Sequence, residues 1–431
     1  MFDTFRNAWK IPELRKKILY TLVILVIFRV GCAISVPYIN VDMLELFRQL
    51  GGSGNMLDYL NMMSGGALSQ CAIFALSVSP YINASIIMQL LTVAIPALER
   101  LSKEGEEGRR KLTRITRYVG GGIGIAMSFG YYMVLRSWGV LAYTTGWEAW
   151  FTGAVIVFSF AAGSQLITRL GEQIDAKGIG NGISLLIFVG IISRWSDLIG
   201  SVQSLLTKAA EQPWYYAVLP LLLVLAVVAV VFVVILTNGE RRIPVQYAKR
   251  VVGRKMYGGQ ASHIPIKVNM SGVMPIIFAS TLCSIPNMIG SFLQVKEGFW
   301  KTFFDVFNYN SVLYAVIYLL LILAFNYFYV AIQYNPVEIA NNLRKNNGAI
   351  PGIRPGKPTS DFITKSLSKI TLIGAIFLGV VAVMPILIGN LTGVAIQLGG
   401  TSLLIVVGVA LDTSRTMESY MLMRHHKGFL E

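Results

Sequence analysis

Apolar residues in this chain gather into runs of roughly twenty, separated by shorter segments where the charges collect. A helix of that length crosses a hydrocarbon core about 30 Å thick. No water is available there to bond peptide groups, so runs of this kind must be helical. Ten spans are predicted, at residues 18–36, 72–95, 118–135, 151–170, 183–199, 217–236, 273–293, 312–332, 370–390 and 402–411. The fifth and tenth are the weakest, with clean apolar stretches well short of twenty residues. The pattern predicts an all-α integral membrane protein of about ten transmembrane helices.

Composition fits this reading. Of the 431 residues, 54% are hydrophobic and 14% charged, against about a quarter charged in ordinary soluble domains. The net charge of +15 would point to nucleic acid in a soluble protein, but here its placement along the chain carries the information. Thirty of the 37 Lys and Arg fall on one side of the predicted membrane: in the N-terminus, in residues 99–117, 169–180, 238–267 and 334–369, and in the tail. Six fall on the other side, and Arg29 lies inside the first span. The positive-inside rule then places both termini in the cytoplasm. Residues 1–17 combine five basic residues with Phe2, Phe5 and Trp9. They read as an amphipathic interfacial segment and not as a cleaved signal.

Ten spans divide into two sets of five, residues 18–199 and 200–416, with a cytoplasmic tail at 417–431. An odd number per half means that the halves enter the membrane in opposite directions, a device of transport proteins whose path runs between them. The weak span is fifth in each half and follows glycines, Gly178, Gly180 and Gly182 in one and Gly399 and Gly400 in the other. The second span of each half carries internal prolines, Pro80 in one, Pro275 and Pro286 in the other. Between the first two spans, residues 55–70 are half apolar and too short to cross, so they fit either a re-entrant piece or an extracytoplasmic loop.

The predicted path lacks charged binding groups. Ion and solute transporters place ionisable side chains near the midplane, whereas here Arg29 is the one charge well inside a span. Asn83, Gln89 and Asn326 are polar but neutral. No His/Asp, Ser/His or paired acidic set of an intramembrane enzyme is present. Cys32, Cys71 and Cys283 lack the spacing of a disulfide framework or metal site, and residues 103–111 lack that of a nucleotide-binding loop. The expectation is a channel or transporter without metal, cofactor or active site, driven by partners.

Seven segments carry a family resemblance. They are NMMSGGALSQ at 61–70, SPYINASIIMQLLT at 79–92, KEGEEGRRK at 103–111, GIGNGISLLIF at 178–188, KVNMSGVMPIIFAS at 267–280, NNGAIPGIRPG at 346–356 and GGTSLLIV at 399–406. In this order, over essentially the whole chain, they resemble the SecY family of protein-conducting channels. The resemblance implies a pore that moves unfolded secretory polypeptides across the cytoplasmic membrane and releases membrane-protein helices sideways into lipid. It also implies partners: SecE, SecG, the ATPase SecA or a ribosome, and preproteins with their signal peptides.

Carried onto this sequence, the resemblance implies a pore ring of Val78, Ile82, Ile86, Ile183, Ile187, Ile277 and Ile405, with Val78 standing where the family pattern has isoleucine. The fourfold spacing within 78–86 and within 183–187 sets each group on one helix face, and an apolar constriction can gate by dewetting. A plug is implied at Asn61, Met62, Met63, Ser64, Gly65, Gly66, Ala67, Leu68 and Ser69, hinged at its glycine pair. A lateral gate between the second and seventh spans would have Asn83 and Gln89 facing the seam. Docking of SecA or a ribosome is implied at Arg354, in a Gly-Ile-Arg-Pro-Gly turn, and at Arg241, Arg242, Lys249, Arg250, Arg254 and Lys255. Arginine pairs in a fork with either carboxylate or phosphate.

Overall fold

The computed structural model describes the chain apart from residues 1–5, 7, 41–63, 144, 194–201, 204–205, 208, 210–212, 214, 248–249, 253–254, 258–260, 294–297, 308–310, 393–399 and 428–431. In chain order its helices are α1 (Pro12–Gly31), α2 (Ser79–Ala94), α3 (Pro96–Lys103), α4 (Glu106–Ser137), α5 (Gly146–Lys177), α6 (Gly182–Ser193) and α7 (Tyr215–Asn238). There follow α8 (Met274–Leu293), α9 (Phe299–Val306), α10 (Val312–Gln333), α11 (Pro336–Lys345), α12 (Lys357–Thr392) and α13 (Gly400–Lys427). All but α3, α9 and α11 coincide with expected spans. Their outer faces leave large apolar side chains bare, among them Val23, Val26 and Val30 on α1 and Leu221, Val224 and Val227 on α7. Patches this continuous are foreign to a soluble monomer and are the ordinary surface of a protein in lipid.

The second span differs from expectation. Residues 64–78 are a run of turns, and the helix begins at Ser79, so Pro80 lies in its first turn and not inside it. The backbone explains why: Cys71 and Ser77 take φ of 46° and 50°, a left-handed geometry that no right-handed helix can include. Pro80 needs no amide donor in a first turn and is at home there. Pro275 likewise sits in the first turn of α8, while Pro286 is internal. Ile95 is extended, as a residue before proline tends to be, and α2 breaks there into α3 with a bend of 102°.

The tenth span also differs. The helix α13 runs for 28 residues, because its apolar first part continues without a breaker into a polar second part. On the N-terminal segment, Ala8, Leu14 and Ile18 are buried against Ile179, with Met417 and Met421 of α13 packed alongside. Lys17 stacks over the Tyr420 ring at 4.3 Å. The described part of this segment therefore docks on the protein with one face, while Trp9 remains exposed.

The two long connections at 238–267 and 334–369, expected as separate cytoplasmic loops, form one folded unit. Strand β1 (Glu240–Tyr247) pairs antiparallel with β4 (Ala261–Lys267) and, on its other edge, with β5 (Gly348–Ala349). Between β1 and β4 the short strands β2 (Arg250–Val252) and β3 (Lys255–Tyr257) pair with each other. Along β1, Ile243 and Val245 point inward while Arg242, Pro244 and Gln246 point out, the alternation a half-buried strand requires. Ile243, Val245 and Ile266 join Leu343, Ile350, Ile363 and Leu367 in one cluster.

Within the membrane region the helices approach closely where side chains are smallest. A Cβ added to Gly163 of α5 would lie 2.0 Å from the carbonyl oxygen of Ile73. That carbonyl belongs to backbone, so relief requires the 64–78 run to move. In a free helix Gly→Ala gains about 1 kcal/mol. Here overpacking reverses the sign, and Gly163→Ala is expected to cost about 1–3 kcal/mol. It should appear as a lower thermal midpoint of the detergent-solubilised protein.

Candidate functional site

Four helices from both halves meet at one apolar cluster. It takes Val78 and Ile82 from the start of α2, Ile187 from α6, Ile277 from α8 and Ile405 from α13, all buried, with Ile86 and Ile183 half-buried against them. All seven expected ring positions are thus neighbours, although up to 327 residues separate them in sequence. Val78 stands just outside the helix, where its carbonyl accepts the amides of Tyr81 and Ile82 at 3.1 and 3.0 Å. It continues the Ile82–Ile86 row from a capping position. The seven expected ring residues are all aliphatic, and side chains of this kind offer no direction-dependent contacts.

Ala67, fully buried, belongs to the same cluster. It lies in the turn run 64–78, and within that run the carbonyls are held individually. The Tyr131 hydroxyl of α4 donates to the Leu68 carbonyl at 2.9 Å, and Cys71 Sγ lies 3.4 Å from the same hydroxyl oxygen. Arg29 Nη1 of α1 donates to the Gly65 carbonyl at 2.7 Å. The Ser69 hydroxyl donates to the Gly66 carbonyl, and the Leu68 amide donates to Ser64 Oγ. Of the expected plug residues, Ser64 to Ser69 are in this arrangement, and Asn61, Met62 and Met63 lie outside the described residues. Tyr131 had no prominence in the sequence pattern. Arg29 was visible there as a lone charge in an apolar span, without a partner to assign.

The gate positions divide. Helix α8 packs against both α2 and α4, which is where a seam between halves would run. Asn83, expected to face it, instead donates from Nδ2 to Met127 Sδ of α4 at 3.7 Å. Its amide is directed into the α2–α4 contact within one half, because a buried amide turns to the nearest acceptor. Gln89 is half-buried further along α2.

Arg241 and Arg242 are exposed on β1, the latter donating from Nε to Glu240 Oε1 at 2.6 Å. Arg250 opens β2, and Lys255 opens β3 opposite Val252. Lys249 and Arg254 lie outside the described residues. Arg354 is exposed in a turn flanked by Gly352 and Gly356 at φ of 80° and 107°. Its carbonyl accepts the Thr359 hydroxyl at 2.8 Å, which ties the turn to the first turn of α12.

Comparison with known proteins follows this geometry. The family model described as SecY matches residues 72–414. The chain is 40% identical to the protein translocase subunit SecY of Thermotoga maritima over 100% of its own length and 98% of that protein. It is 40% identical to its counterpart from Streptomyces galbus over the full length of both. Among solved structures it is similar to one described as a protein conducting channel, with a TM-score of 0.66 over 94% of this chain and 92% of the other, at 18% identity. It is also similar to Sec61 in the canine ribosome–channel complex from the endoplasmic reticulum, with a TM-score of 0.63 over 94% and 92% at 17% identity. At such identities the likeness speaks for the fold alone.

Tyr131→Phe removes the side-chain donor on the Leu68 carbonyl, which keeps the Cys71 amide at 3.1 Å. Losing one such hydrogen bond costs about 0.5–1.5 kcal/mol. Opening of the run should rise by roughly tenfold for each 1.4 kcal/mol lost. Maleimide labelling of Cys71, read peptide by peptide by mass spectrometry, should accelerate to match, while Cys283, which is buried among α8, α10 and α12, keeps its rate.

Proposed function

This chain belongs to the SecY family and is a protein translocase subunit, a protein-conducting channel; from that premise we propose how its own residues serve the task. Val78, Ile82, Ile86, Ile183, Ile187, Ile277 and Ile405 form the constriction through which an unfolded polypeptide passes. The observation that carries this reading is their convergence from four helices of the two halves, with Ala67 in the same cluster. An ion entering such a collar leaves water without gaining ligands, so the closed collar resists ions. A polypeptide of any sequence meets the same non-directional contacts and is gripped without being bound.

Residues 64–69 act as the plug. Their contact with the collar through Ala67 supports this assignment, and the bonds to Arg29 and Tyr131 support a seated resting state. The seam at which α8 meets α2 and α4 is the lateral gate through which hydrophobic segments reach lipid, with Asn83 and Gln89 on the α2 side of it. The protein acts in the cytoplasmic membrane with both termini inside, as the distribution of Lys and Arg supports. It carries no active site of its own, and free energy comes from SecA or a translating ribosome, with SecE and SecG completing the complex.

The sheet β4–β1–β5 with the Arg354 turn is the docking platform for that motor. A folded unit presents arginines at fixed positions, so less side-chain and loop ordering opposes association than a mobile loop would require.

Translocation by vesicles containing this chain, SecE and SecA tests the reading. ATP-driven import of a preprotein is expected for the wild type. Arg354→Glu should lower the rate by about tenfold or more, equivalent to at least ~1.4 kcal/mol of docking free energy, with unchanged insertion and folding. Passage of a small solute but no polypeptide by the wild type would overturn the channel assignment. Independently, Ile187→Asn should raise the ion leak of the resting channel, measured as conductance in planar bilayers. A seal as tight as wild type would remove that position from the collar.

A further inference from the structure

A charged side chain inside an apolar span is costly, and Arg29 is the one charge well inside any of the ten expected spans. It lies in the last turn of α1, where the helix dipole favours a cation. Its Nη1 reaches the Gly65 carbonyl at 2.7 Å, the short end of the range for an N–H donor and typical of a charge-assisted bond. Nothing in the packing of α1 requires a guanidinium there. The residues of α1 that are buried, Leu14, Ile18, Thr21, Ile24, Phe28 and Gly31, are apolar or small.

We propose that Arg29 is the positioning residue that latches the plug in its closed seat, by a single charge-assisted hydrogen bond to the backbone carbonyl of Gly65. The inference rests on the plug reading above and adds its holding device. Gly65 is also held from α6, whose Ser193 hydroxyl donates to the same carbonyl at 3.5 Å. It has φ of 66°, and a Cβ placed on it would lie 2.9 Å from Ser193 Oγ and 3.0 Å from the Gly190 Cα of α6. The segment is thus wedged between Arg29 on α1 and the helix that carries Ile183 and Ile187. Pulling on Gly65 from α1 fixes the height of Ala67 against the collar.

The acceptor is a neutral backbone oxygen and not a carboxylate, and this determines how the latch works. A carboxylate would add the attraction of a second full charge to the contact. A carbonyl accepts a single charge-assisted hydrogen bond, strong enough to bias the resting state and weak enough to yield to an arriving polypeptide. The bond is also indifferent to which side chains the plug carries. Among the described residues, Leu68 and Ser64 have their carbonyls held by the neutral groups of Tyr131 and Cys32, the latter at 3.6 Å, so the cationic contact on the plug is the one from Arg29.

The test is resting ion conductance of the purified complex in planar bilayers without substrate, a readout that a purely structural role would not move. Four variants are compared: Arg29→Met, Arg29→Lys, deletion of residues 64–69, and the deletion combined with Arg29→Met. The leak is expected to rise at least fivefold in Arg29→Met, to return most of the way to wild type in Arg29→Lys, and to be no greater in the combined variant than in the deletion. If the deletion leaks while Arg29→Met stays sealed, the latch is wrong and the plug reading survives. If the deletion itself stays sealed, the plug reading fails and the latch with it. Equal leaks from Arg29→Lys and Arg29→Met would overturn the donor role. Gly65→Val leaves Arg29 intact but pushes the segment off α6, so it keeps the proposal testable should Arg29→Met fail to fold; it should leak, and a tight seal would count against the latch.

Discussion

Every peptide group placed in hydrocarbon must find its partner within the protein, and irregular backbone at that depth survives only where protein surrounds it. The run 64–78 is where this chain meets the constraint most severely. The 16 residues of α2 reach only about 24 Å, and the turn run fills the remaining depth. Its peptide groups are satisfied piecemeal. The Ile73 amide bonds to the Ile34 carbonyl, and the Cys71 carbonyl accepts from Val36. Further amides turn back on the run itself, and side chains of α1 and α4 take the carbonyls that remain. Burial by Gly163, Phe28 and Phe74 completes the enclosure. A segment solvated in this way has many small attachments and no helical ladder, which makes it the natural part of the membrane region to leave its place while the helices stay.

Much of this architecture was legible from the sequence because hydrocarbon simplifies the reading. Runs of apolar residues mark spans, and nearly all the runs were matched. What failed did so for local reasons. The left-handed residues Cys71 and Ser77 leave no signature in hydropathy, so the start of α2 was placed seven residues early. The helix α13 looked short because hydropathy measures the membrane and not the helix, and α-helical hydrogen bonding continues into water. The strand β1 carried a visible alternation at Ile243 and Val245, but a segment judged by its charge was read as a loop.

The collar was legible in a different sense. Spacing by four sets Val78, Ile82 and Ile86 on one face, and Ile183 and Ile187 on another, but no spacing says that two faces meet. The convergence of α2, α6, α8 and α13 is a tertiary fact, and the family resemblance supplied it before the coordinates did. Asn83 marks the limit of that transfer. Its side chain follows its nearest acceptor, Met127, and not the seam suggested by position alone. Arg29 stood out as an anomaly in the sequence, and its meaning needed the through-space neighbour 36 residues away.

The junction of the β-sheet unit with the membrane helices has a mechanical consequence. Strand β4 ends at Lys267, and the next amide, Val268, bonds back to the Gly239 carbonyl at the root of β1. Six residues later α8 begins, while Gly374 of α12 presses so closely on the Val268 carbonyl that a Cβ there would sit 2.5 Å from it. The β1–β4 hairpin is therefore a lever with its fulcrum at Val268, pinned by α12, and α8 is its short arm. Force applied at the distant tip, among β2 and β3, arrives at the helix bearing Ile277 as torque, with its displacement reduced and its strength multiplied.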